Sequence, residues 1–327
     1  MQKSILVFSN GEKIGDGLIK LPLLYEIKRR LPDYKLIWMT NLGATVYNNQ
    51  LKNIAGEFID EIYEQANLSV FFWKKISDKY ELNKSNFEYI LDTQKAVIRT
   101  LALKRIQCSN FISSCAGGIF SSKKIHNKVI NKKRNYYLED LFDLLNLIKA
   151  ESIDKNFKLP IPNALENQLK GIFNKNKLYL GIAPGAGEQN KIWPLENFLK
   201  VGEFFEKKSY NLVFFLGPQE KFLKDKILKT FPNTIFPEEI ITEFSGPEIV
   251  MGATKFLSCA LSNDSGVSHM LSTNYCPLVK LFGPKDSDKF TPINSNIFTI
   301  NSKEFGSKNI KLIETKFVIK KINEIIG

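Results

Sequence analysis

Short apolar runs alternate with amphipathic stretches along this chain, and the alternation predicts its elements. "SILVFS" (4–9) and "KLIWMT" (35–40) are apolar runs of strand length, rich in branched side chains. Between them the glycine-rich "NGEKIGDG" introduces an amphipathic helix near 17–31. Helical and short strand-like patches then lead to "NFEYILDTQ" (86–94), a strand ending in polar residues, and to a helix at "LEDLFDLLNLIKA" (138–150). "LPIPNALENQ" (159–168), with two prolines, reads as a linker or domain edge. The alternation restarts beyond it. "KLYLGIAPG" is strand then loop, and "WPLENFLKVGEFFEKK" is a helix with Pro194 in its first turn, where a missing amide costs nothing. "NLVFFLGPQE" (211–220) is strand then loop, followed by helices at "KFLKDKILKTF" and "GPEIVMGATKF". "FLSCALSNDSG" (256–266) and "LVKLFGP" (278–284) are strands running into loops, and "TKFVIKKINEII" (315–326) closes the chain as a helix.

Strands alternating with helices imply parallel sheets covered on both faces, an α/β fold. Two such halves imply two Rossmann-like domains, 1–160 and 161–327, with a cleft between them. The length of 327 residues suits two domains of ordinary size. In sheets of this kind ligands bind at the carboxyl ends of strands. The loops after strands are therefore where the chemistry is expected.

Composition narrows the class. Hydrophobic content of 43% with 24% charged residues is that of a soluble globular chain, and no apolar run reaches the ~20 residues of a membrane span. "MQKSILVFSNGEK" does not read as a signal peptide, so a cytoplasmic location is expected. Cys108, Cys115, Cys259 and Cys276 form no CxxC pair and there are only two histidines, which speaks against a zinc cluster. The net charge of +12 suggests anionic partners. Arginine stands only at 29, 30, 99, 105 and 134, so lysine dominates, a bias that can arise without function. Placement says more: "SSKKIHNKVINKKRN" (121–135) is a basic block without a carboxylate. Such blocks are solvated loops or phosphate grips. No aromatic-basic motif supports nucleic-acid binding.

Three loops carry candidate chemistry. In "APGAGEQNKIWP", Gly185-Ala186-Gly187 opens like a dinucleotide fingerprint, but Asn190 stands where the third glycine belongs and the helix starts too late, which argues against nicotinamide. Lys191 just before a helix N-terminus suits a phosphate or pyrophosphate; an ordinary solvent loop is the bland alternative. In "SNDSGVSH", Asp264 follows an apolar strand and Ser265-Gly266 can open a turn with exposed amides into a helix carrying His269. The glycine spacing does not fit a serine hydrolase, and simple capping by Asp264 and Ser265 is the competing reading. In "GEKIGDG", Gly15 and Gly17 flank Asp16 where a strand hands over to a helix. A helix N-terminus favours an ionised carboxylate, so Asp16 is a cap or a general base.

Taken together and in order, these loops resemble the heptosyltransferases of glycosyltransferase family 9. The resemblance rests on "ILVFSNGEKIGDGLIKLPLL", "APGAGEQNKIWPLENF" and "LSNDSGVSHMLSTNYCPLVKLFGP", and is loosest over 45–150. It implies a GT-B fold, with an acceptor domain followed by a donor domain and a last helix, 315–326, able to pack back on the first domain. It implies an inverting, metal-independent transferase that needs no cofactor and moves a heptose from ADP-heptose to an anionic lipopolysaccharide-type glycolipid at the inner face of the cytoplasmic membrane. By this resemblance Asp16 is the catalytic base and Lys191 neutralises the donor diphosphate. Ser265 and Gly266 approach that diphosphate, Asp264 goes with the donor sugar, His269 stands behind it, and Glu220 holds the adenosine ribose. Gly17 replaces a small apolar residue, from which a more mobile turn is expected. Lys123, Lys124, Lys128, Lys132, Lys133 and Arg134 are the candidate acceptor-binding cations. Another nucleotide-sugar transferase or epimerase of the same fold, or a non-catalytic homologue, are the alternatives.

Overall fold

Two parallel sheets organise the chain, one in each of two units, Met1–Phe157 and Lys158–Gly327. The computed structural model describes residues 3–71, 73–76, 78–124, 137–154, 158–285 and 296–326. In unit 1, β1 (Ser4–Ser9), β2 (Lys35–Thr40), β3 (Glu61–Tyr63), β4 (Phe87–Asp92) and β5 (Cys108–Ser113) lie in the order β3-β2-β1-β4-β5, every pairing parallel. Ile5, Leu6, Val7 and Phe8 are sealed from water on both faces of the sheet. That double burial is why β1 reads as a continuous apolar run and not as an alternation.

The helices of unit 1 are α1 (Ile14–Arg30), α2 (Lys52–Ala55), α3 (Val97–Leu103) and α4 (Tyr137–Ile148). α1 begins three residues earlier than the hydrophobic pattern suggests, because Gly15, Asp16 and Gly17 already form its first turn. The buried Arg30, ion-paired within α1, fastens that helix to α4. Arg30 Nε donates to Glu26 at 2.8 Å, and its Nη1 donates to Asn146 Oδ1 at 2.7 Å and to the Lys149 carbonyl at 3.0 Å.

Unit 2 contains β6 (Leu178–Ala183), β7 (Tyr210–Phe214), β8 (Cys259–Asn263), β9 (Leu278–Phe282) and β10 (Ile297–Asn301), again all parallel, in the order β10-β9-β8-β6-β7. Its helices are α5 (Asn163–Ile172), α6 (Leu195–Glu206), α7 (Lys224–Thr230), α8 (Pro237–Ile240), α9 (Gly246–Ala253), α10 (Gly266–Leu271) and α11 (Thr315–Ile326). The proline-rich stretch at 159–168 is only half a connector: α5 begins at Asn163, directly after Pro162, and buries Leu165 and Leu169. α11 packs on α6, β8 and β9, and its Val318 and Ile322 belong to the unit 2 core.

Each sheet reverses its winding direction once. The reversal lies between β1 and β4 in unit 1 and between β6 and β8 in unit 2. Diverging crossovers leave a crevice at the strand ends there, the usual ligand position in such sheets.

Candidate active site

The crevice of unit 2 is built from the loop after β6 and the end of β8. Asn263, the last residue of β8, staples that loop at both ends. Its Nδ2 donates to the Pro184 carbonyl at 2.7 Å, and its Oδ1 accepts the Trp193 amide at 3.2 Å. Trp193 is fully buried, and its indole N–H donates to the Ile313 carbonyl at 2.9 Å. The tryptophan anchors the loop and Pro194 starts α6, so the polar residues between the staples are held at the crevice.

Those residues form an ion cluster around Asp264. Lys191, in the 3-10 turn Gln189–Lys191, places its Nζ 3.4 Å from Asp264 Oδ2 and 3.1 Å from Glu188 Oε1, with only 11% of its side chain exposed. From below, Lys280 on β9 places its Nζ 2.8 Å from Asp264 Oδ1 and is almost fully buried. Lys285 approaches Glu188 at 3.4 Å. Burial would raise the Asp264 carboxyl, but the ammonium groups of Lys280 and then Lys191 overcome it and hold the group below its ordinary value. Burial pulls the Lys280 ammonium down against the pull of Asp264. It would also lower Lys191, whose surroundings, Glu188 and Asp264 among them, more than reverse the effect. The cluster therefore sets three ammonium groups against two carboxylates. The surplus positive charge sits in a partly dry site, where a diphosphate gains most.

Beside it, Ser265 precedes the short α10. Its Oγ is buried and has no hydrogen-bond partner among the described residues. Ser268 Oγ instead accepts the Ser265 amide at 3.4 Å and donates to the Ser265 carbonyl at 2.7 Å. Ser265 is thus the N-cap of α10, with Ser268 receiving its amide, whereas Asp264 is committed to ammonium groups instead of the helix end. His269 is half-buried. Removal from water, and next the Lys280 ammonium, push its imidazole down to about 4, so it is neutral at physiological pH. Glu220 reaches the same loop. A Cβ at Gly185 would lie 2.5 Å from the Glu220 carboxyl carbon, and one at Gly217 would lie 2.6 Å from its Oε2. Both glycines make room for this carboxyl, which burial raises above its ordinary value. Ala186 is buried, and Gly187 faces open space.

Unit 1 presents a different arrangement. Asp16 is exposed in the first turn of α1. One turn on, Lys20 is buried, its Nζ 3.2 Å from Ser9 Oγ and 5.6 Å from the centre of the Trp38 ring. Burial lowers this ammonium, while Glu12 and Asp16 pull it back up. Gly17 is not a source of mobility. A Cβ there would fall 2.4 Å from Val46 Cγ2, and the Tyr47 hydroxyl donates to the Gly17 carbonyl at 2.7 Å. At the end of β4, Asp92 accepts from Thr100 Oγ1 at 2.7 Å, Ser113 Oγ at 2.8 Å and the Gln94 amide at 2.9 Å, tying β4 to α3 and β5. Burial raises its carboxyl. Of the candidate acceptor cations, Lys123 donates to the Leu147 carbonyl at 2.7 Å and lies over the Tyr89 ring, whereas Lys124 is exposed. Lys128, Lys132, Lys133 and Arg134 lie outside the described residues.

Sequence reasoning missed Lys280, Asn263 and Lys20. The signal was present for the lysines. Each interrupts an apolar run, "LVKLF" and "LIKLPLL", and a lysine sealed in a core needs a partner. Among the described residues no three His, Cys, Asp or Glu side chains are grouped so as to hold a metal ion.

The family model described as glycosyltransferase family 9 (heptosyltransferase) matches residues 79–316. The lipooligosaccharide heptosyltransferase 2 of Campylobacter jejuni is 23% identical over 285 residues, covering 85% of this chain and 81% of that protein. Among solved structures, a glycosyl transferase family 9 protein from Veillonella parvula superposes with a TM-score of 0.74 at 16% identity, covering 100% of this chain and 98% of that one. E. coli heptosyltransferase WaaC with ADP superposes with a TM-score of 0.70 at 14% identity, covering 98% and 99%.

Proposed function

The chain belongs to glycosyltransferase family 9, and on that premise we propose that it moves a heptose from ADP-heptose to a lipopolysaccharide core or similar glycolipid, with inversion and without a metal ion. The relatives named above are heptosyltransferases, and the solved WaaC structure contains ADP. The observation that carries the reading is the Lys191–Asp264–Lys280 cluster at the winding reversal of unit 2.

In this mechanism the acceptor hydroxyl attacks the anomeric carbon from the face opposite the leaving group. The new C–O bond forms as the bond to the diphosphate breaks, and the hydroxyl proton passes to the Asp16 carboxylate. Charge grows on the departing ADP. Lys191, the Ser265 hydroxyl and the amide of Gly266 stabilise that charge, the role a metal ion plays in other glycosyl transfers. Electrostatics fixed in advance of the reaction are usually the largest catalytic contribution. Lys280 acts from beneath by keeping Asp264 ionised and oriented toward the donor. Glu220, seated against Gly185, receives the ribose hydroxyls. The acceptor is a lipid-anchored anion, so the enzyme works at the inner face of the cytoplasmic membrane. In the described residues no helix is long and apolar enough to cross it.

Calorimetric titration with ADP, run alongside Lys191→Ala, tests the reading. We expect the wild type to bind ADP and the variant to bind it about 1.5–3 kcal/mol more weakly, the usual contribution of a hydrogen bond to a charged group. Equal ADP affinity in both proteins, or preference for uridine diphosphate, would overturn it.

A further inference from the structure

We propose that unit 1 docks on an anionic lipid bilayer through a face carrying Phe71, Trp73, Ile98, Leu101 and Ile119. The proposal rests on the reading of a lipid-anchored acceptor given above. Its first support is charge. The described residues 93–124 contain six Lys and Arg side chains (Lys95, Arg99, Lys104, Arg105, Lys123 and Lys124) and no Asp or Glu. An acid-free stretch of that length concentrates positive potential on the segments it builds.

The second support is that large apolar side chains are exposed in the same stretch. On α3, Ile98 is 66% exposed, and Val97 and Leu101 are exposed too. Ile98 and Leu101 are three residues apart on α3, so they share one stripe of the helix. Arg105, just past the end of α3, donates to the Ser69 carbonyl at 2.6 Å and to the Lys74 carbonyl, which pins the 69–74 loop beside that end of the helix. That loop carries Phe71 and Trp73, whose rings stack at 4.8 Å and 29°, with Lys74 Nζ 5.7 Å from the Phe71 ring centre. Trp73 is 64% exposed. α3 also packs against the 3-10 turn Cys115–Gly118. In that turn Ala116, Gly117 and Gly118 take positive φ angles of 49°, 68° and 82°, and the next residue, Ile119, is 81% exposed.

These three segments join aromatic and branched apolar groups to lysine and arginine, with no carboxylate contributed by α3 or the turn. The chemistry selects its partner. Phosphates alone satisfy the cations but leave Ile98 and Ile119 in water. A bilayer offers anionic headgroups above an apolar layer, and Trp and Phe prefer that boundary. Basic side chains are drawn to anionic leaflets, and buried apolar area adds to the attraction.

The test uses the full-length protein with vesicles of phosphatidylglycerol and phosphatidylcholine, some with brominated acyl chains. The chain has three tryptophans, and Trp38 and Trp193 are fully buried, so quenching by brominated chains reports Trp73. We expect sedimentation with anionic but not with pure phosphatidylcholine vesicles, together with quenching of Trp73. The double variant Ile98→Ser, Ile119→Ser keeps every charge and should lower vesicle partitioning by about tenfold, since binding scales with buried apolar area. Sedimentation without quenching, and insensitive to the double variant, would mean electrostatic adhesion alone and would overturn the proposal. So would indifference to all vesicles combined with tight binding to an acidic protein or to nucleic acid. ADP titration of the same variants separates the two readings, because the nucleotide site lies in unit 2. Loss of vesicle binding with ADP binding intact leaves the catalytic proposal standing.

Discussion

Asp16 and Asp264 each stand just past a strand at which a parallel sheet reverses its winding, yet their surroundings are opposite. Asp264 is buried and clasped by Lys280 at 2.8 Å and Lys191 at 3.4 Å. Asp16 is exposed at the first turn of a helix, and the buried Lys20, one turn on, is directed to Ser9 and Trp38. The same topology thus offers two kinds of carboxylate. One is fixed, dry and electrostatically saturated, suited to organising a charged donor. The other is reachable, suited to receiving a proton from an acceptor that must come and go. Substitutions at the two positions should therefore fail in different ways.

The largest effect is expected at Asp16. Asp16→Asn should reduce kcat by about 10²–10⁴, the usual contribution of a general base, with ADP affinity unchanged and stability within about 0.5 kcal/mol of wild type. Steady-state kinetics and calorimetry measure both; a loss of ADP binding with turnover preserved would break the contrast. Asp264→Asn should act mainly on folding. It leaves buried Lys280 without its counter-charge, and breaking one partner of a buried pair costs about 3–5 kcal/mol. Urea denaturation reads this directly, and a shift under about 1 kcal/mol would show that Asp264 is less coupled than its geometry states. Gly17→Ala, one residue from Asp16, probes how firmly the exposed carboxylate is held. The added Cβ would meet Val46 Cγ2 at 2.4 Å, so overpacking should cost about 1–3 kcal/mol. An unchanged melting midpoint would mean that the turn yields.

The smallest effect concerns His269. Its imidazole titrates near 4 in the fold against an ordinary 6.5, so the fold favours the neutral ring. Stability from this group is fully present above pH 6.5 and is lost as pH falls toward 4. Imidazole NMR resonances of His269 should stay flat from about pH 8 to about pH 5. A midpoint near 6.5 would show that the crevice is wetter than the structure indicates.

The fully buried strands were plain in the sequence, because burial on both faces turns them into unbroken apolar runs. β1 and β2 match their predicted spans, and so does α11. β3, only three residues long and half-buried, carries no such signal, and α5 was hidden by prolines that prepare a helix instead of breaking one. The site divides the same way. Lys191, Asp264 and Ser265 lie in polar segments after strands and Asp16 in the first turn of the helix after β1, where a local pattern suffices. Lys191, Asp264, Ser265 and Glu220 are brought to one crevice, as an ordered set of loops in one unit would suggest.

The sequence by itself determined the α/β class, the two parallel halves of this GT-B protein and the family, since each depends on short-range periodicity or on motifs contiguous in the chain. Tertiary structure alone decided which polar groups are paired. Lys280 meets Asp264 because β8 and β9 are neighbours, and Asn263 staples residues 184 and 193 because β6 lies beside β8. It alone also brought the 69–74 loop to Arg105 and the Cys115–Gly118 turn to α3, segments far apart in the chain. Pairing and burial are properties of distance in space, and no periodicity along the chain encodes them.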